Sequence, residues 1–424
     1  MQRNYFIVLL IFFIFFVISF LTNILGPLIP DIINSFHLSL TLAGLLPFAF
    51  FIAYGVMSIP SGMMVERFGE KPVMVAAFGL AFIGALLFAL FPYYLVAMSS
   101  LFMIGMGMAM LQVAINPLLR VAGGEEHFAF NSVLAQLVFG SASFISPFLY
   151  SYLVRNLQAD PQAEVWFIGL LRQLVPANLP WISLYWVFAL VTLLMVIILY
   201  AVHLPRVELK EEEKAGAWQT HKELFKNKTV ILFFIGIFAY VGTEQGVANW
   251  ISKFLQTYHG YDPQTIGAHT VSYFWGLLTA GCLLGLLLLK LFDSRYVLIA
   301  FSLAAMISLT FALFGSARIA LWAFPMVGFF ASVMWSIIFS LALNSLEKHH
   351  GSFSGILCTA IIGGAIVPVI IGWLGDHFGL RNGMLFLFLT LGYIFSIGFW
   401  AKPLITNETF RSKKEKMAAK SQPI

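Results

Sequence analysis

Twelve mostly apolar stretches of about 20 residues fill this chain, and that repetition constrains the fold more than any motif does. An unpaired backbone amide or carbonyl in hydrocarbon costs several kcal/mol, so a crossing segment closes its hydrogen bonds within itself as a helix; about 20 apolar residues make that helix long enough. The first six runs are Tyr5 to Leu25, Thr41 to Val65, Val73 to Leu90, Tyr94 to Leu119, Phe128 to Val154 and Trp181 to Val202. The second six are Thr229 to Leu255, Thr265 to Leu289, Tyr296 to Phe314, Ile319 to Leu346, Phe353 to Gly375 and Gly383 to Ala401. The first exceeds the roughly 7 to 15 apolar residues of a cleaved signal and more spans follow it, so it is read as retained, ending at Gly26-Pro27 and Pro30. Between the sixth and seventh lies the most charged internal segment, with Glu211-Glu-Glu-Lys214 and five lysines. The expected organisation is a six-helix bundle over 1–202, a cytoplasmic linker over 203–228, a second bundle over 229–401 and a charged, disordered tail over 402–424.

Composition enters as a check on class. Only 10% of the residues are charged and 60% are hydrophobic, against about 25% charged in a soluble domain, so the chain is an all-α polytopic membrane protein. The net charge of +5 is no footprint of nucleic-acid binding, because the basic residues sit in loops and the tail. They report orientation. With the N-terminus inside, nineteen of the 24 Lys and Arg fall on the cytoplasmic side and five (Arg155, Arg172, Lys253, Arg318 and Arg381) on the other, which places both termini in the cytoplasm. Cys282 and Cys358 lie in apolar runs and read as small hydrophobes, with no disulfide and no metal pair.

One run carries polar groups that need a reason. Tyr240-Val-Gly-Thr-Glu-Gln-Gly-Val-Ala-Asn-Trp250 sets a carboxylate, two carboxamides and an indole near mid-membrane. An ionised acid there costs roughly 2.5–3.5 kcal/mol on insertion scales, so such a residue faces a wet cavity and carries function. Glu244 is read as the only acid deep in any span and as the cation-coupling residue, able to exchange a proton or hold sodium; no other metal site is expected. Around it, Asn23, Gln112, Asn116, Gln136, Gln245 and Asn249 offer donors and acceptors without charge, and Trp250 and Trp335 offer rings to cover the apolar face of a sugar. Asn344 and Trp275 belong to the same chemistry. Each amide competes with a structural role, since intramembrane Asn and Gln often only join helices, at about 0.6 kcal/mol per pair. Asn116 is the weakest candidate, because Pro117 frees a carbonyl that it could satisfy. With no Arg or Lys deep in any span, an anionic substrate is disfavoured and a neutral polar one favoured.

Two short motifs recur at helix ends. Gly62-Met-Met-Val-Glu66-Arg67-Phe-Gly69-Glu-Lys71 follows the second span and Gly372-Trp-Leu-Gly-Asp376-His-Phe-Gly379-Leu-Arg381 the eleventh, both of the form Gly-x-x-x-acid-x-Phe-Gly-x-base. The first glycine admits a close helix, the acid can meet a base or a helix N-terminus, and the second glycine permits a tight turn. The pair reads as loop staple and gate together. Twelve spans, a charged middle loop and this doubled motif resemble the major facilitator superfamily, apart from Glu66 standing where Asp is customary. A narrower resemblance lies in Leu111-Gln-Val-Ala-Ile-Asn116-Pro117 with Leu134-Ala-Gln136, which is similar to the Leu-Glu-Thr-Ala-Ala-Asn-Pro and Leu-Ala-Gln stretches of the fucose and glucose/galactose permeases. Tyr240-Val-Gly242, Ile338-Phe-Ser-Leu341 and Ile361-Ile-Gly-Gly364 with Ile366-Val367 also match that family.

The resemblance implies two six-helix bundles related by a pseudo-twofold axis, each with inverted repeats, and symport of a monosaccharide with a proton or sodium by alternating access. The implied protein is a monomer of the bacterial inner membrane, without a cofactor. Its site would lie between the halves, contacted by the first, fourth, fifth, seventh, eighth and tenth spans. There are departures: the family's carboxylates in the first and fourth spans are replaced by Gly26 and Gln112, while Glu244 stands where the fucose permease has Gln and Trp335 where it has Tyr. An embedded acid has thus moved from one half to the other. An uncoupled sugar facilitator and a multidrug/H+ exporter of the same superfamily are the alternatives. Catalysis is excluded by the lack of a nucleotide-binding loop, a metal-ligand cluster or a nucleophile-base pair at a recognisable spacing.

Overall fold

The computed structural model describes residues 5–124, 128–159, 165–204, 222–346 and 350–404. Most of the expected linker (203–228) and tail (402–424) lies outside the described residues. Among these residues there are twelve helices or helix pairs long and apolar enough to cross a membrane and no strand.

In the first bundle the spans are built from α1 (Tyr5–Thr22), α2 (Leu25–Phe36), α3 (Leu40–Phe68), α4 (Glu70–Leu90), α5 (Tyr94–Gly123) and α6 (Phe128–Gln158), with α7 (Trp166–Leu174) preceding α8 (Ser183–Ala201). The second bundle uses α9 (Lys228–Ala248), α10 (Ile251–His259), α11 (Ala268–Leu291), α12 (Ser294–Phe314), α13 (Ala317–Ala331), α14 (Met334–Leu343), α15 (His350–Thr359), α16 (Gly363–Phe378), α17 (Leu380–Met384) and α18 (Phe386–Trp400). Successive spans reverse direction. The end of the molecule holding Tyr5, Lys228 and Trp400 is called here the terminal face, and the other end the opposite face.

The helices depart from expectation in four places. The first span does not end at Gly26-Pro27. The helix breaks for two residues at Asn23-Ile24 and resumes as α2 through Phe36; Pro27 falls in the first turn of the new helix, where no intrahelical N–H bond is lost. The seventh run is not one helix either: α9 stops at Ala248, and after Asn249-Trp250 the chain restarts as α10. The tenth breaks similarly at Ser332-Val333, between α13 and α14. Finally, α7 was not foreseen, because nine residues are too few to register as a span.

The apolar interior forms two clusters. One runs from Ile7 to Leu199 and the other from Leu224 to Ala401, with a few exchanged members. Ile29, Ile33 and Ala43, from the opposite-face ends of α2 and α3, pack in the second cluster, while Ala268 at the start of α11 packs in the first. The bundles therefore interlock at the opposite face. Lipid gives apolar helices no drive to associate, so close packing and buried hydrogen bonds hold such contacts.

Candidate functional site

Between the bundles lies a cavity of about 700 Å³. Its walls come from α1, α3, α5 and α6 on one side and α9, α11, α14 and the turn before α16 on the other, so the second span, through Phe51 and Tyr54, and the eleventh, through Ile361, join the six expected. The lining descends to Leu289, Leu343 and Asn344 at the terminal-face ends of α11 and α14, and the cavity opens that way.

Glu244 sits at the inner end of this space and carries the only charged side chain among the described residues of the lining. Its Oε2 accepts from Tyr240 Oη at 2.5 Å, one turn earlier on α9. Its Oε1 accepts from Gln245 Nε2 at 3.2 Å, and the same amide reaches Asn23 Oδ1 at 3.4 Å across the bundle boundary. Asn23 in turn donates to Ser143 Oγ at 2.8 Å, and Ser143 meets Ser19 at 2.5 Å. A hydrogen-bonded chain thus runs from the acid in one bundle to α1 and α6 in the other. The breaks place its members: Asn23 lies where α1 gives way to α2, and Gln245 stands one turn before the end of α9. Bonds accepted by an ionised group are about twice as strong as neutral ones, so the state of Glu244 is felt along the chain.

The expected site residues divide. Asn23, Gln112, Gln136, Glu244, Gln245 and Trp335 line the cavity. The Trp335 ring centroid is 6.0 Å from that of Tyr240 and 5.8 Å from that of Phe339, on which it stacks. Three others do not line it. Asn116 is exposed and donates to Gln112 O at 3.2 Å, the carbonyl one turn back and not the one freed by Pro117. Asn249 is buried and caps the end of α9, donating to Gln245 O at 2.9 Å. Trp250 is fully buried against α16, its indole N–H directed to Pro368 O at 3.3 Å. Asn249 and Trp250 fall outside the wall because the seventh helix breaks after Ala248 and the face of Glu244 is not continued past them. Trp181, at the start of the sixth run, is also buried, donating to Ser35 Oγ. Sequence reasoning missed Ser143, although its position seven residues after Gln136 puts both on one helix face.

Glu244 is also not the only acid embedded in a span. Asp31, on α2, is 7% exposed and accepts from Tyr150 Oη in its own bundle and from Gln264 Nε2, at 3.1 and 3.2 Å, in the other. Ending the first span too early had placed Asp31 in a loop.

The two copies of the helix-end motif behave differently. At the terminal face Lys71 Nζ donates to Tyr200 O and Val202 O at 3.0 and 2.8 Å, tying α4 to the end of α8 within one bundle; Arg67 lies over the Phe68 ring, and Gly69 takes φ 81° to turn the chain. At the opposite face Asp376 crosses between bundles. It accepts from Leu40 N and Thr41 N at 2.8 Å each and from Thr41 Oγ1 at 2.5 Å, at the N-terminus of α3, where a carboxylate is favoured by the unpaired amides and the helix dipole. Arg381 does not pair with it. The Arg381 guanidinium lies 4.5 Å from the Tyr258 ring centroid, and its backbone N–H donates to Tyr258 Oη. Nearby His259 is held below the ordinary imidazole value by burial and by the Arg381 charge.

A model of the Major Facilitator Superfamily matches residues 11–361. The chain belongs to the major facilitator superfamily. As a member it is an integral membrane transporter and not an enzyme. It is 31% identical over 399 residues to a glucose/galactose transporter of Brucella abortus, covering 93% of both chains. It is 24% identical to the L-fucose-proton symporter of Escherichia coli, covering 86% of each. Among solved structures it resembles the major facilitator transporter FucP in its outward conformation, with a TM-score of 0.66 at 22% identity over 93% of this chain and 98% of that one.

Proposed function

We propose that this protein imports a neutral monosaccharide together with a cation, a proton or sodium, by alternating access across the bacterial plasma membrane, with both termini cytoplasmic. The reading rests on Glu244, a lone carboxylate among the described lining residues, set beside amides, hydroxyls and rings at the inner end of the chamber and joined through Gln245 to the opposite bundle. Sugar hydroxyls donate and accept at once, as do the amides of Gln112, Gln136, Asn23 and Asn344; Trp335 supplies a flat apolar face. A cavity of about 700 Å³ falls within the roughly 300–1,000 Å³ of small-molecule sites and holds a hexose with water. Relatives named for glucose/galactose and for L-fucose with a proton support the same class. Binding of the cation at Glu244 and of the sugar beside it favours rearrangement of the chain that joins the bundles. The terminal face is then cytoplasmic, and the form described releases substrate inward.

The test is uptake of a panel of labelled sugars into proteoliposomes under separately imposed pH and sodium gradients. Glu244→Gln should abolish uphill accumulation and spare counterflow exchange; undiminished accumulation would remove Glu244 from coupling, and a mere change of affinity would indicate a facilitator. One observation favours a second reading. The lower cavity wall is aliphatic, with Leu278, Leu283, Leu286, Leu289 and Leu343, as suits a multidrug/H+ exporter. Efflux of lipophilic dyes without sugar uptake would select it.

A further inference from the structure

The group in the membrane that the coupling chemistry leaves unused is Asp31. It belongs to α2, a helix set apart from α1 by the break at Asn23-Ile24. It holds two residues: Tyr150 Oη, on α6 of its own bundle, and Gln264 Nε2, at the turn that opens the eighth span in the second bundle. Gln264 bonds both carboxylate oxygens, at 3.1 and 3.2 Å. Asp31 is therefore a buried side chain of one half joined to a side chain of the other at the face where the cavity is shut. The Tyr150 bond stays within one bundle and aims the carboxylate; the Gln264 bond must break for that face to open.

The same short helix touches the cavity. Its first residues follow Asn23, the amide that meets Gln245 across the boundary, and Gly26 packs on Ala248 at the end of α9. From Asn23 to Asp31 is eight residues, about 12 Å of helix at about 1.5 Å per residue. One rigid element thus has its inner end in the hydrogen-bonded chain of Glu244 and its outer end on the inter-bundle bond.

We infer that Asp31 is the latch of the opposite-face gate, with Gln264 as its keeper, and that α2 is the arm linking this latch to the contents of the cavity. Asp31 is a positioning residue in this role, since it touches neither sugar nor the coupling cation. The inference rests on the alternating-access reading but on no particular substrate. When the chain Glu244–Gln245–Asn23 is intact, α2 stays seated and Asp31 reaches Gln264; when cavity occupancy redirects Gln245, α2 tilts at Asn23-Ile24 and the latch releases. Gln264 lies at the lip of the gate, where its movement uncovers the passage between α2 and α11.

Spin labels at Tyr93→Cys and Arg318→Cys, on exposed opposite-face positions of the two bundles, in a chain with Cys282 and Cys358 replaced by alanine, report gate opening as a longer distance. Asp31→Asn replaces one of the two acceptor oxygens by a donor, so that Tyr150 and Gln264 compete for the one that remains, and Gln264→Ala removes the keeper. Each should raise the ratio of open to closed populations on the order of tenfold, as expected for loss of a hydrogen bond to a charged group. The double variant should open the gate no further than either single one, because both delete the same bond. Tyr150→Phe should leave the short distance in place. Should Asp31→Asn fail to fold, Gln264→Ala alone decides. Unchanged distances in Gln264→Ala, additive effects in the double variant, or equal opening by Tyr150→Phe would each overturn the latch. The readout needs no substrate, so its failure and the failure of sugar uptake are separate results.

Discussion

Gly26 offers the sharpest test of the closed face. A Cβ built there meets Ala248 O inside any allowed contact, with Ala248 C at 3.1 Å and Asn249 Cα at 3.4 Å. All three are backbone atoms, so no rotamer change relieves the overlap and the two helices must separate. Forcing one methyl into a packed contact costs about 1–3 kcal/mol. Alanine also raises helix propensity over glycine by about 1 kcal/mol, but α2 stays helical whether the gate is open or shut, and that gain cancels from the conformational equilibrium. Gly26→Ala should therefore move the population away from the form described by roughly 5- to 150-fold. Distances between labels at positions 93 and 318 would lengthen, and a reporter thiol at the opposite face would react faster. Gly26→Ser should do the same, which separates crowding from chemistry. If Gly26→Ala kept the short distance and full exchange activity, the tight approach of α2 and α9 would not be what closes this face.

Other outcomes follow from named contacts. Asp376→Ala leaves the amides of Leu40 and Thr41 without their cap, a loss of about 0.5–2 kcal/mol borne only while the bundles touch, so the open population measured with the same labels should rise several-fold. Trp335→Ala should weaken sugar binding by about tenfold or more, as loss of an aromatic anchor does, whereas Asn116→Ala, outside the cavity wall, should leave binding affinity within about twofold; equilibrium binding of the transported sugar distinguishes the two. His259 has a depressed folded-state value against the ordinary 6.5, from burial and then from Arg381. The unfolded chain then takes up a proton first, so its contribution to stability is complete above about pH 6.5 and fades as the pH falls below it. Thermal melts between pH 8 and 5 should show a small loss that His259→Gln removes.

Twelve spans, their alternation and the class of protein were legible in the sequence, because a segment in hydrocarbon must satisfy its own backbone and so writes its length into composition. Glu244 was legible for a related reason: an acid at that depth is expensive enough to need a purpose. The amides Asn23, Gln112, Gln136 and Gln245 were legible as chemistry, and Trp335 as a ring. What the sequence could not decide was where helices break. Asn249 and Trp250 look like neighbours of Glu244 along an unbroken helix, yet the interruption after Ala248 turns one into a cap and the other into packing against α16. Pro27 and Pro30 look like an ending, yet α2 runs on through them and carries Asp31 into the boundary between bundles. Nor could it decide which copy of the repeated motif crosses that boundary. Periodicity and burial cost are properties of a segment and are fixed along the chain; helix breaks, and the pairing of Asp31 with Gln264 and of Asp376 with the start of α3, depend on how two bundles meet, which tertiary packing alone determines.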